Sequence, residues 1–129
     1  MLVGSVERDA DGKLYNLVAL LDGGRVVATR RKHELPNYGT FDEKRIFTSA
    51  DVHGPYVVNG LRIGTPICED SWHPDVCETL AETGAEILLV PNGSPYHRGK
   101  PDLRLNLRVA RVVETGLPLV YLNMVGGQD

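Results

Sequence analysis

The chain has 129 residues, 42% of them hydrophobic and 24% charged, with a net charge of −3. This is one domain's worth of average globular composition, which excludes disordered and collagen-like classes. The charge gives no electrostatic footprint for nucleic acid or an anionic membrane; no stretch approaches the roughly 20 apolar residues of a membrane span, and Met1 opens no secretion signal.

Leu2-Val3-Gly4-Ser5-Val6 reads as a short apolar strand. Asp9-Ala10-Asp11-Gly12-Lys13 is a turn, because Asp and Gly supply its backbone geometry. Residues 14–21 form a buried strand, Asp22-Gly23-Gly24 a tight hairpin turn, and residues 25–30 the returning strand. Residues 32–47 lack either period and read as an ordered loop of the kind that carries function. Asn59-Gly60 joins strands at 56–58 and 61–67, the second ending at Pro66-Ile67-Cys68-Glu69-Asp70.

From Pro74 the period becomes helical, with Val76, Leu80 and Ala81 in register and Gly84 as the stop. Ile87-Leu88-Leu89-Val90-Pro91 is a continuous apolar run, expected of a strand buried on both faces. Residues 92–100 form a second polar loop. Residues 103–114 form a helix with Leu103, Leu107, Ala110 and Val113 on one side and arginines on another. Gly116 ends it, and residues 119–122 are a final strand. Hairpins followed by strand–helix–strand–helix–strand predict an α/β fold, a mixed sheet with helices on one face.

The chemistry gathers at strand ends. Cys68 follows a strand and precedes the acidic pair Glu69-Asp70. Near a helix N-terminus or a cation its thiol pKa would fall, favouring thiolate; the plainer alternative is a small buried hydrophobe. Lys32 lies in a basic run that by itself reads as a solvated patch, although Tyr38, Phe41 and Glu43 suit a small polar ligand. The 91–100 loop lacks P-loop spacing, and the scattered His33, His53, His73 and His97 lack zinc-ligand spacing, so no metal is expected. His73 is conceivable as a base for Cys68, but spacing does not favour it over a surface histidine. Cys68 and Cys77 read as free thiols of a reducing, cytoplasmic compartment.

Three runs in order, from Lys32-His33-Glu34-Leu35-Pro36-Asn37-Tyr38-Gly39 to Glu43, Ile67-Cys68-Glu69-Asp70-Ser71-Trp72, and Pro91-Asn92-Gly93-Ser94-Pro95-Tyr96 to Lys100, resemble the nitrilase (carbon–nitrogen hydrolase) superfamily. Within it they resemble the glutaminase domains of glutamine-dependent NAD⁺ synthetases, across essentially the whole chain. The resemblance implies part of a four-layer α-β-β-α sandwich that hydrolyses glutamine through a Cys thioester. It implies Cys68 as nucleophile, Lys32 with the Glu69 N–H as oxyanion stabiliser, and Glu43 as a second, orienting glutamate that touches substrate. Tyr38, Glu69, Trp72, Ser94 and Lys100 would line the glutamine pocket.

The family's general-base glutamate lies upstream of the lysine on a segment without a counterpart here. Glu7 follows the wrong strand, and Arg8 is a cation. The chain is therefore expected to be part of a domain, 1–129, feeble alone because a base supplies about 10²–10⁴-fold. The resemblance further implies a synthetase domain that uses ATP and Mg²⁺ to amidate deamido-NAD to NAD, with no cofactor in this part, and a homo-oligomer. A stand-alone amidase acting on another small amide and a non-catalytic module are the alternative readings.

Overall fold

The computed structural model describes residues 1–95 and 100–126, and of Lys100 the main chain only. The elements separate into two sheets. The first is antiparallel, ordered β1 (Leu2–Arg8), β2 (Leu14–Asp22), β3 (Arg25–Arg31). Asp9 shapes the β1–β2 turn by accepting the N–H groups of Asp11 and Lys13 at 3.0 and 2.9 Å. Strand β2 carries most of this sheet's buried surface, at Tyr15 and Leu17 to Leu20.

The second sheet is mixed. Strands β4 (Tyr56–Val58) and β5 (Leu61–Gly64) are antiparallel, whereas β6 (Ile87–Asn92) and β7 (Leu119–Asn123) run parallel to β5. Asn59 and Gly60, at φ 51° and 83°, make the primed turn that matches the strand twist. The buried Tyr56 ties the two sheets together, its hydroxyl donating to the Val18 carbonyl at 2.7 Å. Arg30 lies 4.4 Å over the Tyr56 ring and donates to the carbonyls of Gly54 and Pro55.

Strand β5 stops at Gly64 rather than running to residue 67. Pro66 has no N–H for a ladder, and Cys68 turns the chain with a positive φ. Strand β6 alternates: Leu88, Val90 and Asn92 are buried, while Ile87, Leu89 and Pro91 remain half-buried on the other face. Its inward face packs on α2 (Pro74–Glu82), where Val76, Cys77 and Leu80 meet Ala85 and Leu88. Gly64 is needed here, because a Cβ would come within 2.8 Å of Leu88 Cδ2 and 3.3 Å of Leu80 and Ala85. Gly64→Ala should therefore overpack the core and cost about 1–3 kcal/mol. A urea midpoint unchanged from wild type would contradict that packing.

Helix α3 (Lys100–Thr115) turns its arginine side inward. Arg108 and Arg111 are buried, at 6% exposure each, whereas Leu103 and Val113 are 47% and 76% exposed. Arg104, Arg108 and Arg111 form an i, i+4, i+7 stripe of their own, turned inward. Arg108 stacks 4.5 Å over the Tyr121 ring, and Arg111 donates to Glu114 and to the Trp72 carbonyl. Long aliphatic stems let these arginines fill the inward side of the helix. Among the described residues, no helix is long and apolar enough to cross a membrane.

Candidate active site

Strand β3 ends at Arg31, which delivers the next residue, Lys32, into the interior at 1% exposure. A buried ammonium needs a partner. The short helix α1 (Glu43–Ile46) supplies it within the 32–47 loop: both Glu43 carboxylate oxygens lie 2.8 Å from Lys32 Nζ.

Cys68 heads a 3-10 turn, Cys68–Ser71, between β5 and α2. Its φ of +49° is costly for a residue with a Cβ. Such a sharp turn projects a side chain away from the chain path, as nucleophile elbows do. The Ser71 hydroxyl donates to the Cys68 carbonyl at 2.6 Å, and the Asp70 and Trp72 N–H groups close the turn onto Ile67 and Glu69 carbonyls.

The thiol itself departs from expectation. Burial pushes its pKa up, and the nearby Glu69 and Glu43 carboxylates add to that. The Lys32 ammonium and the Glu69 N–H pull the other way without overcoming it. The four-residue 3-10 turn that Cys68 heads has little dipole of its own. The balance of these effects favours the neutral thiol over the thiolate.

Lys32, Glu43 and Cys68 line one cavity of about 720 Å³, with Phe41, Asn16 to Val18 of β2, Pro91 to Gly93, and Leu122 to Val125. Among the described residues, Glu43 is the only carboxylate in that lining, and it is ion-paired to Lys32. Glu7 pairs with Arg31 at 3.0 Å, outside the cavity. Tyr38 and Glu69 are not part of the cavity lining but are paired with each other: the Tyr38 hydroxyl lies 3.0 and 2.9 Å from the Glu69 oxygens. Burial and this bond push the Tyr38 hydroxyl pKa up to about 12, so it stays a donor. Phe41 meets the Tyr38 ring edge-on at 6.0 Å.

Ser94 is buried, its N–H donating to Asn123 Oδ1 at 3.2 Å and its carbonyl accepting from Arg104. Trp72 is half-buried at the end of the 3-10 turn and is not part of the cavity lining. Lys100 begins α3, but its side chain lies outside the described residues, as do Tyr96 to Gly99. Phe41, read with Glu43 as suiting a small polar ligand, lines the cavity, and Asn92 and Asn123 line it without having been singled out as ligands; their position at strand ends was the available signal. Cys68 and Cys77 are both free thiols, and Cys77 is fully buried with its pKa pushed up to about 11 by burial.

The carbon-nitrogen hydrolase family model matches residues 1–129. The chain belongs to that family. The carbon–nitrogen hydrolase sequence is 56% identical over 115 residues to a glutamine-dependent NAD(+) synthetase of Rhodobacter capsulatus, covering 89% of this chain and 21% of that protein. Its fold matches the glutamine-dependent NAD⁺ synthetase of Acinetobacter baumannii, solved with ADP, at a TM-score of 0.92 and 40% identity over 100% of this chain and 24% of that one. It also matches an amidase of Nesterenkonia sp. AN1 at a TM-score of 0.73 and 26% identity, covering 95% of this chain and 47% of that one. In that structure acrylamide has added to the active-site cysteine. The carbon–nitrogen hydrolase chain thus spans about a quarter or less of the length of curated synthetases it matches, 21% to 26%.

Proposed function

We propose that this carbon–nitrogen hydrolase domain cleaves the side-chain amide of glutamine, as the glutaminase part of a longer NAD⁺ synthetase. The convergence of Lys32, Glu43 and Cys68 in one cavity carries the reading. The synthetase relatives and the covalently modified amidase cysteine support it.

In the proposed reaction Cys68 Sγ attacks the amide carbonyl as its proton passes to a base. The oxyanion is held by the Lys32 ammonium and the Glu69 N–H, donors fixed before the charge develops. Collapse expels ammonia and leaves a thioester, which water opens to glutamate and the free thiol. Glu43 holds Lys32 in place and meets the substrate. Glu69 and Tyr38 offer a buried carboxylate and a hydroxyl to the ammonium end of glutamine, with Trp72, Ser94 and Lys100 around it.

The base is proposed to be a glutamate outside this chain, because the cavity's carboxylate is committed to Lys32. ATP and Mg²⁺ are proposed to serve a synthetase domain outside the chain, where ammonia amidates deamido-NAD. Among the described residues, no group of three or more His, Cys, Asp or Glu is arranged to hold a metal, and no step here runs through one. A second copy of the enzyme is the proposed partner of the exposed Leu105, Val109 and Val113 stripe on α3. A monomer by sedimentation at micromolar concentration would contradict that partner.

Glutamate release should be about 10²–10⁴-fold slower for residues 1–129 alone than for the complete enzyme, the usual contribution of a positioned base. Equal rates would contradict an external base, and no release by the complete enzyme would contradict glutamine as substrate.

A further inference from the structure

Asp70 is not part of the cavity lining, yet it binds both segments that lead to the catalytic pair. Its Oδ1 accepts the N–H groups of His33 and Glu34 at 3.2 and 2.7 Å, the two residues after Lys32. Its Oδ2 accepts the N–H of Ile67 at 2.9 Å, the residue before Cys68. The side chain is 3% exposed. Residues 32–37 and 65–67 lie outside any strand, so these N–H groups lack a ladder to satisfy them.

We propose that Asp70 is a positioning residue that locks the Lys32 loop to the Cys68 turn, fixing the oxyanion cation against the nucleophile. The inference rests on the amide-hydrolysis reading above. One carboxylate bridges segments about 36 residues apart, and each bridge ends within two residues of a catalytic side chain. The positive φ of Cys68 makes such a tether necessary, because a strained turn relaxes unless its flanks are held. Charge-assisted bonds from three N–H groups offset much of the burial cost. Burial still pushes the Asp70 carboxyl up to about 6, while the Glu34 and Ile67 N–H groups and the Lys32 charge pull it down. An asparagine cannot substitute. Its amide offers one oxygen, so its NH₂ must face N–H donors on one side and break that link.

The test is steady-state glutamine hydrolysis by the complete enzyme, wild type, Asp70→Asn, Lys32→Ala and the double variant. Asp70→Asn should lower kcat by about 10–100-fold, the scale of an ångström-sized misplacement. The KM for glutamine should stay within about threefold, because the interaction lost is made in the transition state. In the Lys32→Ala background the further loss should be under about threefold, since the two act as one unit. Full loss in both backgrounds, or a raised KM with kcat kept, would overturn the proposal. If Asp70→Asn does not fold, Asp70→Glu keeps the charge one methylene out of register, and wild-type kcat in that folded variant overturns it equally. A wild-type enzyme inert toward glutamine would defeat the substrate reading instead. Iodoacetamide labelling of Cys68 at fixed pH then decides: slower labelling in Asp70→Asn supports the lock, and equal rates overturn it.

Discussion

Cys68→Ala is expected to lower glutamine hydrolysis by the complete enzyme by about 10⁴-fold or more, because among the described residues no other thiol and no hydroxyl lines the cavity. The fold should survive, since Cys68 is only half-buried and its turn is held by main-chain and Asp70 bonds. NAD⁺ formation from added ammonia should persist, because that route bypasses the thioester. A thermal midpoint close to wild type with hydrolysis gone is the expected pair of results. Retained glutamine hydrolysis would remove Cys68 from the mechanism.

The second large effect is expected at Lys32, where chemistry and packing are both lost. Removing one oxyanion donor costs about 10²–10³ in kcat. Lys32→Ala also strips the partner from the Glu43 carboxylate, whose side chain is only 19% exposed. Breaking a buried pair costs about 3–5 kcal/mol, and the partial exposure of Glu43 argues for the lower end. The variant should therefore unfold at lower urea as well as turn over slowly. Lys32→Met, which keeps most of the volume, should recover part of the packing and none of the rate. A kcat within tenfold of wild type in Lys32→Met would contradict the oxyanion role.

Local signals carried most of the fold. Asn59-Gly60 and Asp22-Gly23-Gly24 mark hairpins because their backbone geometry is a property of a few adjacent residues. Pro74 and Gly84 bound α2 for the same reason. What depended on distant contacts was hidden. The inward turn of Arg108 needs Tyr121, and the apolar period of α3 pointed the other way. The raised thiol pKa of Cys68 depends on how deeply the turn is buried and on two carboxylates arriving from different segments.

The site was legible through family resemblance more than through spacing. Lys32 alone reads as a surface cation; its burial against Glu43 is a tertiary fact. The acidic pair after Cys68 announced a purpose, but not its division of labour. Glu69 takes the Tyr38 hydroxyl, while Asp70 takes three main-chain N–H groups. That division follows from the 3-10 turn, which sends successive side chains in different directions.

The central claim is that Cys68 is the nucleophile for a glutamine amide, and covalent trapping tests it most directly. The complete enzyme is incubated with an electrophilic glutamine analogue, and the modified peptide is mapped by mass spectrometry with and without excess glutamine. The account predicts one adduct, on Cys68, suppressed by glutamine, with the buried Cys77 untouched. An unmodified Cys68, or labelling that glutamine does not suppress, would contradict it.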